Sequence, residues 1–340
     1  MSKFVTFGEI MLRLAPLGND RFVQSKEFGV VYGGGEANVA ASLANFGKDT
    51  YFVTKLPKHE IGQAAVNELR KFGVGTRHIT RGGDRVGIYF CEKGASQRPS
   101  KVIYDRAHSS IAQAKKEDFN WPEIFEGAEW FHFTGITPAI SDNCAEICME
   151  AVKAAKEAGV MVSVDLNYRK KLWSTEKAGK VMGELVKYCD VVIANEEDAE
   201  KVFEIKADAT DITVGQLSDE GYKKVAKELV DRYRLKYAAI TLRESYSASD
   251  NGWSAILYDG KDYYKSKKYD VHIVDRVGGG DSFGAGLIYG LTSRMDTQAA
   301  LEFAVASSCL KHTVEGDFNM VSIEEVETLV KGDGSGRVQR

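Results

Sequence analysis

Apolar, β-branched runs alternate with helix-patterned segments through most of this chain, and that rhythm constrains the fold more than any other feature. Residues 4–8 read as a strand, 36–46 as a helix of small residues, 51–54 as a strand and 61–72 as a helix. The order continues with strand 130–133, helix 142–158, strand 160–165, helix 175–188, strand 191–194, helix 219–233 and strand 238–242. Helices starting at Asp281, Thr297 and Ser322 close the pattern. Repeated strand-then-helix order predicts an α/β fold, a parallel sheet sandwiched by helices. Two stretches, 12–32 and 86–105, carry strand-like alternation with no helix between, as in Gly87-Ile88-Tyr89-Phe90-Cys91. They predict a small antiparallel sheet, inserted as a lid over the carboxyl ends of the parallel strands. The expected organisation is one domain over 1–330, with the lid drawn from 12–32 and 86–108, and a loose, glycine-rich tail at 331–340.

A length of 340 residues suits one large α/β domain with a sub-domain, or two domains. The net charge of −4 argues against a nucleic-acid partner. No apolar run approaches the roughly 20 residues that span a bilayer, and the first residues lead straight into a strand. The expectation is a cytoplasmic protein without a membrane partner. The cysteines at 91, 144, 148, 189 and 309 and six scattered histidines form no zinc pattern, so the thiols are expected to be reduced and structural.

Chemistry concentrates in two glycine runs. The later one, Asp275-Arg276-Val277-Gly278-Gly279-Gly280-Asp281, leads into a helix-compatible segment. Unshielded amides at the positive end of a helix make an anion site. A carboxylate there is unfavourable unless it has a task, and Asp281 beside a phosphate could accept a proton from an attacking hydroxyl. A plain turn with Asp281 as N-cap is the competing reading. The earlier run, Gly33-Gly34-Gly35-Glu36-Ala37-Asn38, lets backbone approach a ligand, and Asn38 offers a donor and an acceptor to a polyhydroxylated one. A tight turn into a closely packed helix explains the same residues. Neither G-x-x-x-x-G-K-[ST] nor G-x-G-x-x-G occurs, which removes P-loop NTPases and Rossmann dehydrogenases.

In this order and separation the two runs resemble the signatures of the ribokinase-like (PfkB) carbohydrate kinases, G-G-x-x-x-N and D-x-x-G-A-G-D. Glycines stand at Gly35 and Gly279 where that family commonly has alanine, which would loosen both loops. The resemblance implies a ribokinase-like fold, ATP and Mg2+ as cofactors, and a monovalent cation as a further candidate. It makes Asp281 the catalytic base, with Gly278, Gly279 and Gly280 stabilising the transferring phosphoryl group. The helix dipole is expected to keep Asp281 ionised and only weakly basic. Asn195-Glu196-Glu197-Asp198 resembles a segment that acts on magnesium through water, with Asp198 in the carboxylate position. The nucleotide loop expected after strand 238–242 lacks glycine here, reading Thr241-Leu242-Arg243-Glu244-Ser245-Tyr246. Arg243 could meet phosphates or pair with Glu244.

Arg169, in Asp165-Leu166-Asn167-Tyr168-Arg169, lies at a strand's carboxyl end, and Tyr104 and Arg106 lie on the lid beside Tyr89. Two arginines and two tyrosines directed at one cleft suit a carboxylate-bearing polyol. These segments, with the ending from Leu310 to Phe318, resemble the 2-keto-3-deoxygluconate kinase branch. That resemblance implies sugar-acid contacts from Gly34, Gly35, Asn38, Tyr89, Tyr104, Arg106, Arg169 and Asp317. It places Asn167, Asn195, Thr241, Arg243 and Ser308 toward the nucleotide. The implied reaction is transfer of the γ-phosphate to a 6-hydroxyl. A neutral-sugar kinase such as a fructokinase, and a non-catalytic sugar-binding protein, are the rival readings. Exposed lid edges suggest a homo-oligomer, such as a dimer through the lids.

Overall fold

The β–α alternation builds one large sheet in the computed structural model, which describes residues 2–195, 197–207, 219–332 and 334. The strands are β1 (Lys3–Phe7), β2 (Met11–Pro16), β3 (Phe28–Gly33), β4 (Asp49–Leu56), β5 (Ile79–Arg81), β6 (Ile88–Glu92) and β7 (Lys101–Asp105). They continue as β8 (Ala128–Thr134), β9 (Met161–Asp165), β10 (Val191–Ala194), β11 (Tyr237–Ser245), β12 (Asp250–Tyr258), β13 (Tyr263–Lys265) and β14 (Tyr269–His272). Five helices carry the argument: α1 (Gly35–Asn45), α2 (Asp142–Glu157), α3 (Asp219–Tyr233), α4 (Gly279–Thr292) and α5 (Thr297–Lys311).

The large sheet runs β13-β12-β11-β10-β9-β8-β1-β4-β5, with β14 also on β12. Every pair from β11 to β5 is parallel. The central strand β10, Val191–Ala194, is apolar and buried along its whole length, as a strand covered on both faces must be. One face packs on α2 and α3 through residues such as Phe131, Ile147 and Leu229. The other packs on α1, α4 and α5 through Val39, Phe283 and Leu301. Ala37, Ala40 and Ala41 are fully buried, so small side chains bring α1 close. All five cysteines are free and buried.

Three expectations change. Residues 241–245 are not a loop: they continue β11, which pairs antiparallel with β12 as far as Ser245↔Asn251. The sheet therefore has an antiparallel end, β12 to β14, which the strand–helix rhythm did not announce. The small sheet from the two irregular stretches is present in the order β3-β2-β6-β7. Its outer pairs are antiparallel, but β2 and β6 at its centre run parallel, because the chain crosses the large sheet between them. Most of the expected tail, 333 and 335–340, lies outside the described residues.

A buried ionic cluster fastens the small sheet to the body. Arg13 on β2 is 1% exposed. Its guanidinium donates to Asp275 at 2.8 Å and to Asp317 at 2.8 Å. Burial opposes the charge on Arg13, but Asp317 and Asp275 more than restore it. Removing one partner of a buried pair strands the others without solvent. Arg13→Ala is expected to cost about 3–5 kcal/mol of stability, measured by urea unfolding; a loss below about 1 kcal/mol would show that the cluster does not hold the sheets together.

Candidate active site

The cleft, about 370 Å³, lies between the small sheet and the carboxyl ends of β9, β10 and β11. Asp165 ends β9, Ala194 ends β10 and Thr241 lies on β11, all on its wall, as expected for a ligand site in an open parallel sheet. Gly34, Gly35, Asn38, Tyr89, Tyr104, Arg106, Asn167, Arg169, Asn195, Arg243, Gly278, Gly280, Asp281 and Asp317 line it as well.

The two glycine runs meet through Asn38. Its Nδ2 donates to the Asp281 carboxylate at 2.6 Å, while its Oδ1 accepts from the Gly34 amide at 3.2 Å. Asn38 therefore joins α1 to α4 rather than reaching freely for a ligand. Asp281 is the third residue of α4, and the N-cap is Gly278, with φ of 84°. That left-handed conformation suits glycine. An added Cβ on Gly278 would also collide with the Asp317 carbonyl. Gly280 has open space above it, leaving the amino end of α4 accessible to an anion.

Burial pushes the Asp281 carboxyl up to about 6, against the opposing pull of Asn38 and Arg169. The expectation that the dipole would keep this group weakly basic is therefore corrected: desolvation outweighs the dipole, and a pKa near 6 is well matched to a general base.

Both arginines line the cleft, but they differ in what they pair with. Arg106 is already paired: its Nε donates to Glu9 at 2.8 Å and its Nη2 also contacts Glu9, whose other oxygen accepts from Ser109. Arg169 is exposed and lines the cleft, and among the described residues no ion pair or hydrogen bond holds its guanidinium. Tyr104, 40% exposed, faces the buried Tyr89 with ring centroids 6.1 Å apart. Asp317 spends its oxygens on Arg13 and the Tyr89 hydroxyl. It thus holds the wall rather than offering a free carboxylate.

On the other side, Asn195 accepts from the amides of Glu197 and Asp198, leaving its Nδ2 for the cleft. Asn167 sits at φ 37° behind β9. Glu244 pairs with Lys268 and Tyr246, and Arg243 lines the cleft. Two residues move out of the site. Ser308 is buried, and its hydroxyl donates to the Gly279 carbonyl at 2.7 Å, steadying the glycine turn. Asp198 is buried too, with its oxygens accepting from the amides of Tyr168 and Asn195, each at 3.1 Å. It ties together the segments after β9 and β10 instead of facing the cleft.

Sequence reasoning missed several wall residues. Arg276 lines the cleft beside Arg243, although it stands inside the glycine motif itself. Glu36 accepts from Thr134 and Thr137, and burial pushes it up to about 7. His312 also lines the cleft; burial holds it down to about 4, so it is neutral near pH 7. Its Nδ1 donates to the Ser308 carbonyl at 2.7 Å. Arg276 and Glu36 stand within the quoted motifs, but what puts each on the wall is a contact with a residue distant in sequence.

These groups fit a nucleotide and magnesium. The amino end of α4, with Arg243 and Arg276 on the same wall, supplies donors and positive charge for phosphates. Burial raises Asp165 well above the usual carboxylate range, and the nearby Asp198 and Asp281 add to the rise, which a cation would relieve. Among the described residues no group of three His, Cys, Asp or Glu side chains could hold a metal ion. Magnesium usually keeps several waters and takes substrate phosphate oxygens as ligands.

Gly279 is not loose. A Cβ there would collide with His312 Cε1, and one on Gly35 would come 3.2 Å from Thr134 Cγ2. The glycines thus accommodate packed neighbours. Gly279→Ala is expected to destabilise by about 1–3 kcal/mol through overpacking, and His312→Ala in the same chain to recover at least half of that, read as urea midpoints. Equal losses in the single and double variants would contradict the clash.

A family model for pfkB family carbohydrate kinases matches residues 1–323. The 2-dehydro-3-deoxygalactonokinase of Haloferax volcanii is 31% identical over 335 residues, covering 98% of each chain. A 5-dehydro-2-deoxygluconokinase of Clostridium perfringens is 26% identical, covering 91% of this chain and 86% of the relative. Among solved structures, the 2-dehydro-3-deoxygluconokinase of Thermotoga maritima superposes with a TM-score of 0.95 at 55% identity, over 98% of this chain and 100% of that one. Together with the glycine turn, the carboxylate it carries and the cleft they face, these matches place the chain in the pfkB family as an ATP-dependent carbohydrate kinase.

Proposed function

We propose that this kinase transfers the γ-phosphoryl group of ATP to the 6-hydroxyl of 2-keto-3-deoxygluconate. The observation that carries the sugar-acid reading is Arg169: a guanidinium on the cleft wall, bound by no carboxylate among the described residues. A charged, unpaired fork facing a polar cleft suits a carboxylate held by two hydrogen bonds. Relatives named for 2-dehydro-3-deoxy sugar acids support the class. A neutral sugar would leave Arg169 without a partner, which argues against the fructokinase reading. Asp281, with its pKa near 6 at the amino end of α4, argues against a non-catalytic binding protein.

The chemistry follows from the wall. Arg169 fixes the acid end, with Tyr89 and Tyr104 along the chain of hydroxyls, so that the far hydroxyl reaches Asp281. The carboxylate of Asp281 takes the hydroxyl proton as the oxygen attacks the γ-phosphorus and ADP departs. The amides of the glycine turn and the charges of Arg243 and Arg276 offset the negative charge on the transferring group. Magnesium, when bound with the nucleotide, neutralises its phosphate oxygens. Free edges on β3 and β7, with Val30 and Ile103 exposed, support pairing of two copies through the small sheets. No described helix is long and apolar enough to cross a membrane, and five reduced thiols fit the cytoplasmic setting expected from the sequence.

Two outcomes test the roles. Asp281→Asn should keep substrate binding and lower kcat by about 10²–10⁴-fold. In the wild type, kcat/KM should rise with pH through about 6, because Asp281 must lose its proton before it can accept one. Glu36→Gln should leave that limb in place. A flat profile between pH 5 and 8, or Asp281→Asn turnover within a few-fold of wild type, would remove Asp281 as base.

Arg169→Ala should raise KM for the sugar acid by about 10–100-fold with a smaller change in kcat, as charge-assisted bonds are worth roughly 1.5–3 kcal/mol each. Arg106→Ala should raise it less, since Glu9 already neutralises that guanidinium. An unchanged KM in Arg169→Ala would place the carboxylate elsewhere.

A further inference from the structure

Lys311, the last residue of α5, is fully buried with 0% exposure. Its Nζ donates to three backbone carbonyls: Gly316 at 2.6 Å, Val314 at 3.1 Å and Asp275 at 3.3 Å. Asp275 precedes the glycine turn, and the other two follow α5, so the ammonium joins the two segments that flank the anion site. A neutral amine has only two N–H groups, so three carbonyl acceptors call for the ammonium. The Lys311 stem also underlies the turn: a Cβ on Gly278 would come 3.3 Å from its Cε. Burial lowers the pKa of this lysine, while Asp275 and Asp317 raise it.

Converging backbone carbonyls are also the ligand set that strips and replaces the hydration shell of a monovalent cation. The resemblance of this chain raised such a cation as a candidate. The carbonyls beside the glycine turn do not leave room for one, because an ammonium already occupies their focus. The charges agree. Arg13 and Lys311 balance Asp275 and Asp317 in the same buried cluster, so a further buried cation would be uncompensated.

We propose that the Lys311 ammonium is a covalently tethered monovalent cation, which holds the glycine turn in its anion-binding shape and frees this kinase from dependence on potassium. It is a positioning residue: it touches the backbone of the turn's flanks, not the reacting atoms. The proposal needs only that the chain is a kinase, not that 2-keto-3-deoxygluconate is its substrate.

The test has a substrate-free arm and a catalytic arm. In the first, thermal unfolding of the wild type is followed in potassium, ammonium, sodium and tetramethylammonium chlorides at equal ionic strength. The wild type should show no difference between potassium and tetramethylammonium, whereas Lys311→Ala, with the cage vacated, should gain stability selectively in potassium or ammonium by mass action. In the second arm, wild-type turnover should change by less than about twofold across these salts. Lys311→Ala turnover should fall by about tenfold or more in tetramethylammonium and recover in potassium or ammonium. Lys311→Met, which fills the stem's volume without charge, should lose turnover and not recover. Potassium-specific stabilisation or activation of the wild type would overturn the proposal even if Lys311→Ala failed to fold. A Lys311→Ala protein that folds and responds to no cation would overturn it as well.

Discussion

The hydrogen bond from Asn38 to Asp281, 2.6 Å long, is the contact on which the site depends. It joins α1 to α4, two helices that begin in glycine runs over 240 residues apart in the chain. Both helices pack on the same face of the large sheet through Val39, Leu43, Phe283 and Leu287. Their amino ends are thereby brought to one edge of the cleft. Without that packing each run is only a turn. With it, a half-desolvated carboxylate is held at the positive end of a helix, its proton affinity raised by burial and limited by Asn38 and Arg169. That balance makes it a base near neutrality in a site built to attract anions.

A second layer keeps that geometry in place. Arg13, Lys311, Asp275 and Asp317 form a charge-balanced cluster behind the glycine turn, and Asp317 extends it to Tyr89 on the small sheet. The turn, the small sheet and the end of α5 therefore share one set of buried contacts. Ser308 and His312, on the last turn of α5 and just beyond it, complete the support by holding the Gly279 carbonyl and filling the space a Cβ would take. Such supporting groups matter because phosphoryl transfer is governed mostly by positioning and charge.

The parallel body was legible because its central strands are written as apolar runs, with amphipathic helices on one face and small-residue or apolar helices on the other. The antiparallel end, β12 to β14, was not, because β11 runs on through Thr241 to Ser245 and returns through the short turn at 246–249, with no helix between the strands to continue the rhythm. The small sheet was legible as an interruption, but its central parallel pair depends on a crossover that local alternation cannot report. Within the site, residues in motifs were readable: the glycines, Asn38, Asp281 and Arg169. What those residues do was less so. Asn38 and Asp317 are spent on other protein groups, and Asp198 and Ser308 act on backbone behind the cleft. Glu9 lay outside every motif, and Glu36, Arg276 and His312 lay inside quoted segments, but the place of each on the wall depends on a partner distant in sequence.

The most direct test of the account is a side-by-side assay of the purified chain with ATP and magnesium on 2-keto-3-deoxygluconate and on fructose, with the product examined by phosphorus and carbon NMR. The account predicts a kcat/KM for the sugar acid at least about 100-fold above that for fructose, the scale of two charge-assisted hydrogen bonds, and a phosphate ester on carbon 6. Fructose phosphorylated as well as the sugar acid, or an ester on another carbon, would contradict it.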